Sequence, residues 1–476
     1  MLRRSFFALV TVAVLTSACA GSDDAAPETT PTLTPTVQPS TTVVEATTVQ
    51  PSTTLDQAVP TTTSTPTSTP EPSIVETTTV TPDASGELGY EIVTLAPDAE
   101  WHWLEAGVSD DGELFVVYIS NGELKLLRCS DLDCTDRPDV KTLGNALETW
   151  WFDAAVRADG AAAVVYLAIG DDEAGIFVCD PDSPQGCFGS VGFGDNEPCD
   201  PCESSVDFME IAVTPDGLPR IAYYNGTKLK LAICEDPSCN VLTSIVIDET
   251  PDNFAFGAPE IHIGPDGKLY IAYSRDRGPI PDGAVSEALV AVCADPSCVT
   301  GPIIFTFDDA GIVFTSHHTD TGFLVWTKTG LPYFPPEFAG LSEADMVIAA
   351  GELADIEVAE CDIDGCTEPQ RVPIGEDWLF AAGSLELVAI GDDATAAVFN
   401  HHSTQVAGFE LQVTTCRDAI CSDATTNRLG ITDVAVDSIA AVKHPDSPLR
   451  IVYINEDGTL NLIKCDDDTC ATPISP

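Results

Sequence analysis

Phe208-Met209-Glu210-Ile211-Ala212-Val213, the turn Pro215-Asp216-Gly217, Pro219-Arg220-Ile221-Ala222-Tyr223-Tyr224 and Lys228-Leu229-Lys230-Leu231-Ala232-Ile233-Cys234 follow one another and lead to Cys239. Alternation, β-branched and aromatic content, and an Asp-Gly turn predict three short antiparallel strands here. Thr243–Asp248 supplies a fourth beyond the cysteine pair. The same unit recurs along the chain. Its cysteines are Cys129/Cys134, Cys179/Cys187, Cys234/Cys239, Cys293/Cys298, Cys361/Cys366, Cys416/Cys421 and Cys465/Cys470, and its single aromatics are Tyr118, Tyr166, Tyr223, Tyr273, Trp326, Phe399 and Tyr453. Seven copies of four strands at a period of roughly 50 to 70 residues predict an all-β ring of small sheets, a seven-bladed β-propeller.

The last copy lacks an outer strand, because only Ala471–Pro476 follow its final cysteine. Tyr90-Glu91-Ile92-Val93-Thr94-Leu95, ahead of the first copy, is expected to fill that place and close the ring without an open edge. Cys-x4-Cys across a short turn suits a local disulfide, each restricting the unfolded chain by roughly 2 kcal/mol in the chain-entropy model. Cys199/Cys202 forms an eighth pair between copies. Zinc would need four converging ligands, and only Cys179, Cys187, Cys199 and Cys202 crowd enough for that; two disulfides are the expectation in an oxidising compartment.

Residues 86–476 therefore read as one propeller. Ahead of it, Arg3 and Arg4, the apolar run Phe6–Leu15 and Thr16-Ser17-Ala18-Cys19 resemble a bacterial lipoprotein signal. That resemblance implies removal of residues 1–18, acylation of Cys19, and a membrane-anchored position on the extracytoplasmic side. Residues 19–85 are rich in Thr, Pro and Ser, a composition that cannot bury enough apolar surface to fold, and are expected to be an extended disordered linker.

A net charge of −56, from 76 acidic and 20 basic side chains, excludes nucleic acid and anionic membrane surfaces as partners. No feature calls for oligomers, and a monomer is expected. In the predicted ring, the short Asp-Gly turns and the cysteine pairs share one face. The opposite face carries the variation: the Cys199/Cys202 insertion, the loop 275–286, and the insertion 329–352 with Tyr333 and Phe338. Trp101, Trp103, Trp150, Trp151, Phe208, Phe256 and Trp378 cluster where inner strands begin on that face. Flat aromatic surfaces beside carboxylates grip sugar rings or extended peptides, while the same rings can equally pack between blades.

A second regularity is acidic. Thirteen residues before the repeat aromatic stand Glu105, Asp153, Glu210, Glu260 and Glu386, with Val313 and Ala440 in copies five and seven. Five carboxyl groups at one level around the axis must bind a cation such as calcium, take up protons, or accept hydrogen bonds from neighbouring blades. Glu210, Glu260 and Glu386 would be the acid and nucleophile candidates of a glycosidase. His317-His318 and His401-His402 are adjacent pairs within strands, so their side chains alternate and do not suit a shared transition-metal centre.

No nucleophile elbow, zinc-protease motif, phosphate loop or dinucleotide fingerprint is present. In strand pattern and Asp-Gly turns, residues 86–476 loosely resemble the sialidase-like propellers, which would imply a glycoside hydrolase or lyase. Ser109-Asp110-Asp111-Gly112 misses the spacing of their Asp boxes, and only Arg275 and Arg277 lie on a suitable loop for their arginine triad. The chain also resembles exported bacterial lipoproteins with cysteine-paired propeller repeats, an architecture that implies no activity. The expectation is a membrane-tethered extracytoplasmic binding module for carbohydrate or peptide. A glycoside hydrolase or lyase and an envelope-complex scaffold are the alternatives.

Overall fold

The computed structural model describes residues 89–471, apart from 101–103, 146–148, 169–173, 180–186, 190–205, 226, 250–258, 265, 278–284, 309–310, 319–322, 330–354, 369, 372–384, 392–393, 403–408, 419–420 and 422. Seven antiparallel sheets form a seven-bladed β-propeller. The third blade runs Val206–Val213, Pro219–Asn225, Lys228–Cys234 and Leu242–Glu249, each strand hydrogen-bonded to the next. Tyr90–Ala96 pairs antiparallel with Leu460–Cys465, from Tyr90↔Cys465 to Ala96↔Leu460. The chain's first strand is therefore the outer strand of its last blade, as expected.

Strict alternation explains why the second strands read as unbroken apolar runs. Ile221 and Tyr223 pack with Met209 against Val165, Ile176 and Val178 of the second blade. Ala222 and Tyr224, one residue out of phase, pack against Ile261, Ile271, Tyr273 and Leu289 of the fourth. Both faces of each sheet are thus core, and each buried Leu, Ile or Val contributes about 1.5–3 kcal/mol. Val93 and Leu95 join Leu114, Val116 and Tyr118 where the last blade meets the first. Gly107 permits the closest approach near the axis, since a Cβ there would run into the Val156 side chain of the next blade.

The turn face is built from two repeated devices. Inner strands end in turns such as Thr214-Pro215-Asp216-Gly217, where the Gly217 N–H donates to the Thr214 carbonyl (2.8 Å) and Thr214 N–H to the Leu218 carbonyl (3.0 Å). Gly217 has φ +81°, a conformation glycine adopts without a Cβ penalty. Third strands end in the disulfides Cys129–Cys134, Cys234–Cys239, Cys293–Cys298, Cys361–Cys366, Cys416–Cys421 and Cys465–Cys470, with Cα separations of 4.0 to 5.0 Å. Cys179 is disulfide-bonded too and stands opposite Cys187 in the strand register. Cys199 and Cys202 lie outside the described residues, as do Cys19 and residues 1–88 as a whole.

Five of these loops share a feature that spacing alone conceals. Cys134, Cys239, Cys298, Cys421 and Cys470 all have φ between +46° and +55°, and each donates its N–H to the carbonyl of an aspartate three residues earlier. The aspartate side chain closes the loop from the other direction: Asp236 Oδ1 accepts the Ser238 N–H (3.0 Å), and Asp295 Oδ1 the Ser297 N–H (2.9 Å). Cys-x-Asp-x-x-Cys is therefore the structural unit, with Asp turning the chain so that the second sulfur meets the first.

These loops also join blades. Arg220, buried at the start of a second strand, donates from Nη1 to the Cys234 carbonyl (3.0 Å) and from Nε to the Pro296 carbonyl in the next blade's loop (2.7 Å). Arg450 repeats this with the Cys465 carbonyl (3.0 Å) and Asp133 Oδ1 (2.8 Å). Lys268 Nζ reaches Asp362 (2.8 Å), and Asn427 Nδ2 donates to the Thr469 carbonyl (3.0 Å). Among the described residues, four disulfide loops are in this way held by the preceding blade.

Candidate functional site: the axial carboxyl ring

The inner strands place Glu105, Asp153, Glu210, Glu260 and Glu386 at one register level, opposite Val117, Val165, Ala222, Ala272 and Val398. Each partner immediately precedes its blade's repeat aromatic, so the spacing of thirteen located these five correctly. Ala440, opposite Val452, is the seventh-blade member. The fifth blade corrects the expectation: Val313 pairs with Thr327, and the residue opposite Val325, just before Trp326, is Ser316. Ser316 stands nine residues before its partner (325 − 316), against twelve for Glu210 and Ala222 (222 − 210), so a fixed count overshoots it. Ser316 thus completes the ring, 4% exposed and with its Oγ without a hydrogen-bond partner.

Asp153 is buried, Glu105, Glu210, Glu260 and Glu386 are half-buried, and the carboxyl groups feel one another's charge. Burial, then repulsion from Asp153, Glu386 and Glu260, holds Glu105 well above the usual carboxylate range. Burial and the charges of Asp153 and Glu260 do the same at Glu210. Burial and then Glu260 and Asp153 raise Glu386, and burial followed by Asp153 pushes Glu260 up to about 8. Burial also raises Asp153, but hydrogen bonds from Glu210, Ile211 and Ala154 oppose it. The contact between the two acts in opposite directions, raising Glu210 and opposing the rise at Asp153, so they titrate as a pair.

Asp153 has further fixed partners. Its Oδ2 accepts the Ile211 N–H of the third blade at 2.6 Å, and its Oδ1 the Ala154 N–H at 2.6 Å. Glu260 accepts the Ser316 N–H of the fifth blade. The ring therefore ties blades two to three and four to five at the axis. Among the described residues, no three His, Cys, Asp or Glu side chains converge closely enough to hold a metal ion.

The aromatic candidates divide differently. Trp101, Trp103, Phe256, Tyr333, Phe338 and Trp378 lie outside the described residues. Trp150 and Trp151 lie at the start of the second blade's inner strand, where the register shifts between Thr149 and Trp151. Phe208 sits in the corresponding bulge of the third blade with φ +42°, its ring packed against the apolar cluster shared with the fourth blade. Phe314 occupies the bulge of the fifth blade, a member of this set that counting from tryptophans did not reveal. Bulges re-aim a strand, and here they accompany aromatics at three inner-strand entrances. His317-His318 and His401-His402 fall in strands of different blades, five and six.

No protein-family model matches the chain, and no curated protein matches it in sequence. Solved structures similar to it include the polysaccharide lyase Uly1, at 11% identity and a TM-score of 0.48 over 79% of this chain and 91% of that one. The GH93 α-L-arabinofuranosidase of Fusarium graminearum in complex with arabinobiose follows at 10% identity and 0.42, over 67% and 93%. The N-terminal domain of Nup159 gives 11% and 0.42, over 82% and 97%.

Proposed function

We propose that the chain is a membrane-tethered extracytoplasmic binding module, held by a lipidated Cys19 and a linker through residue 85, that takes extracellular carbohydrate or peptide on the face opposite the disulfide loops. The observation that carries this reading is that Asp153 accepts the Ile211 N–H of the next blade and the Ala154 N–H of its own, both at 2.6 Å. Retaining glycosidases hold their two carboxyl groups about 5 Å apart with the substrate between them, and inverting ones hold them farther still. A carboxylate engaged by two backbone N–H groups, one of them from the next blade, is a joint between blades. Recognition is then left to the loops and to aromatics at the inner-strand entrances.

The test is an array of glycans and peptides probed with the secreted chain carrying Cys19→Ser, in calcium and in chelator. Saturable binding that Trp103→Ala and Trp151→Ala abolish supports the module, and calcium dependence would bring an ion into the site. Turnover of a bound polysaccharide that disappears in Glu210→Gln would replace this reading with the hydrolase or lyase one.

A further inference from the structure

Large aliphatic side chains are exposed at few described positions: Val140, Val241, Val246, Val299, Ile303 and Ile304. All but Val140 belong to the outer edge of blades three and four. Elsewhere outer strands carry charges that discourage pairing, such as Lys141 in Asp139–Asn145, Arg428 in Ala424–Arg428 and Glu91 in Tyr90–Ala96. In Leu242–Glu249 and Ile303–Asp308 the charges Asp248, Glu249 and Asp308 stand only at the far end, leaving Leu242–Ile247 and Ile303–Phe307 uncharged. Between the outer strand of blade three and the loop that leads into Ile303–Asp308 lies a groove of about 580 Å³ lined by Ile233, Ile245, Val246, Val299 and Pro302, with Glu235 its one charged wall residue. Val299 at its mouth is 82% exposed.

The strand edge and the charge together specify the occupant. An outermost strand offers a row of backbone N–H and C=O groups that an extended chain can pair with, placing every second side chain towards the groove. A second copy of this molecule would bring another net charge of −56 against Glu235, Asp236 and Glu249, and an anionic surface is repelled in the same way. We propose that the outer edge of blade four, Ile303–Asp308, and the groove beside it dock an extended segment of a partner protein in which aliphatic residues alternate with lysine or arginine. The segment adds a fifth strand to the blade, its aliphatic side chains entering the groove and its cations facing the acidic surround. This surface is on the disulfide-loop side of the ring and separate from the ligand face proposed above.

The probe is a fluorescent, acetylated (Val-Lys)4 peptide titrated into the secreted Cys19→Ser chain, compared with (Val-Glu)4 and with a (Val-Lys)4 analogue interrupted by proline. Saturable binding of the basic peptide is expected. It should weaken at least about tenfold in Ile304→Lys and Val246→Lys, stay unchanged in Val140→Lys, and fail with the proline analogue. All three substitutions are at exposed positions, and an unchanged melting temperature confirms the fold. Equal weakening by all three lysines would reveal bulk charge attraction alone and overturn the proposal. So would equal binding of (Val-Glu)4, no saturable binding, or self-association of the unmodified chain that Val299→Lys abolishes.

Discussion

Acidic residues at the rim and acidic residues at the axis obey opposite electrostatics in this propeller. At the rim, partial burial works against ionisation of Asp131 and Asp236, but hydrogen bonds from Thr135 and Asp133, and from Asn240 and Ser238, outweigh it and hold both below the usual range. Asp362 is lowered first by its hydrogen bond with Lys268. At the axis, burial raises Glu105, Glu210, Glu260 and Glu386, and neighbouring carboxylates raise them further. One residue class thus works as an ionised turn-former at the rim and, with its values raised, as a joint between blades at the axis. The large acidic excess does not by itself describe a ligand site; part of it closes the loops that shape the disulfides.

The comparison can be broken at either end. Asp153→Ala should have the largest effect, because it leaves the Ile211 and Ala154 N–H groups without their carboxylate acceptor. A loss of about 3 kcal/mol in denaturant unfolding is expected. Arg450→Met removes the bond to the next blade's loop and leaves the Leu449 and Cys465 carbonyls without this donor. It should cost about 2 kcal/mol by the same measurement, and a loss as small as that of an exposed ion pair would show that the rim bonds are incidental. Asp236→Ala at the exposed loop should cost about 1 kcal/mol and make Cys234–Cys239 easier to reduce, checked by thiol labelling during mild reduction.

Much of this was legible in the sequence because repetition makes each blade a control for the others. Strand pattern, the cysteine pairs and the closing strand Tyr90–Ala96 follow from periodicity, and five ring carboxyls follow from a constant hairpin length. Ser316 escaped because fewer residues separate it from its partner Val325 than in the other blades, so a fixed count landed on Val313. The blade-to-blade bonds escaped for another reason: Arg220 and Pro296, or Arg450 and Asp133, are joined only by the fold, and nothing local marks an arginine at the start of a second strand as a staple. Cys-x-Asp-x-x-Cys was visible as letters, but the role of its aspartate depends on the left-handed conformation of the second cysteine. The aromatic face reads from sequence as a cluster of strand entrances, and Phe314 joins it only once the bulges are seen.

The most direct test of the division between rim and axis is the melting temperature from pH 4 to pH 9, for the unmodified protein and for Glu210→Gln. Rim acids with lowered values contribute stability that is present above their ordinary range and lost only as pH falls through it. Axial acids with raised values contribute stability that is complete below about pH 4 and lost as pH rises through their folded values, Glu260 at about 8 among them. The melting temperature should therefore decline from pH 6 to pH 9, where surface carboxylates no longer titrate. Glutamine keeps the side chain's shape and cannot ionise, so Glu210→Gln should flatten that decline, with the seven histidines common to both proteins. A melting temperature that is level or rising over this interval, or a slope identical in the two proteins, would contradict an axial ring whose carboxyl groups titrate above their usual range.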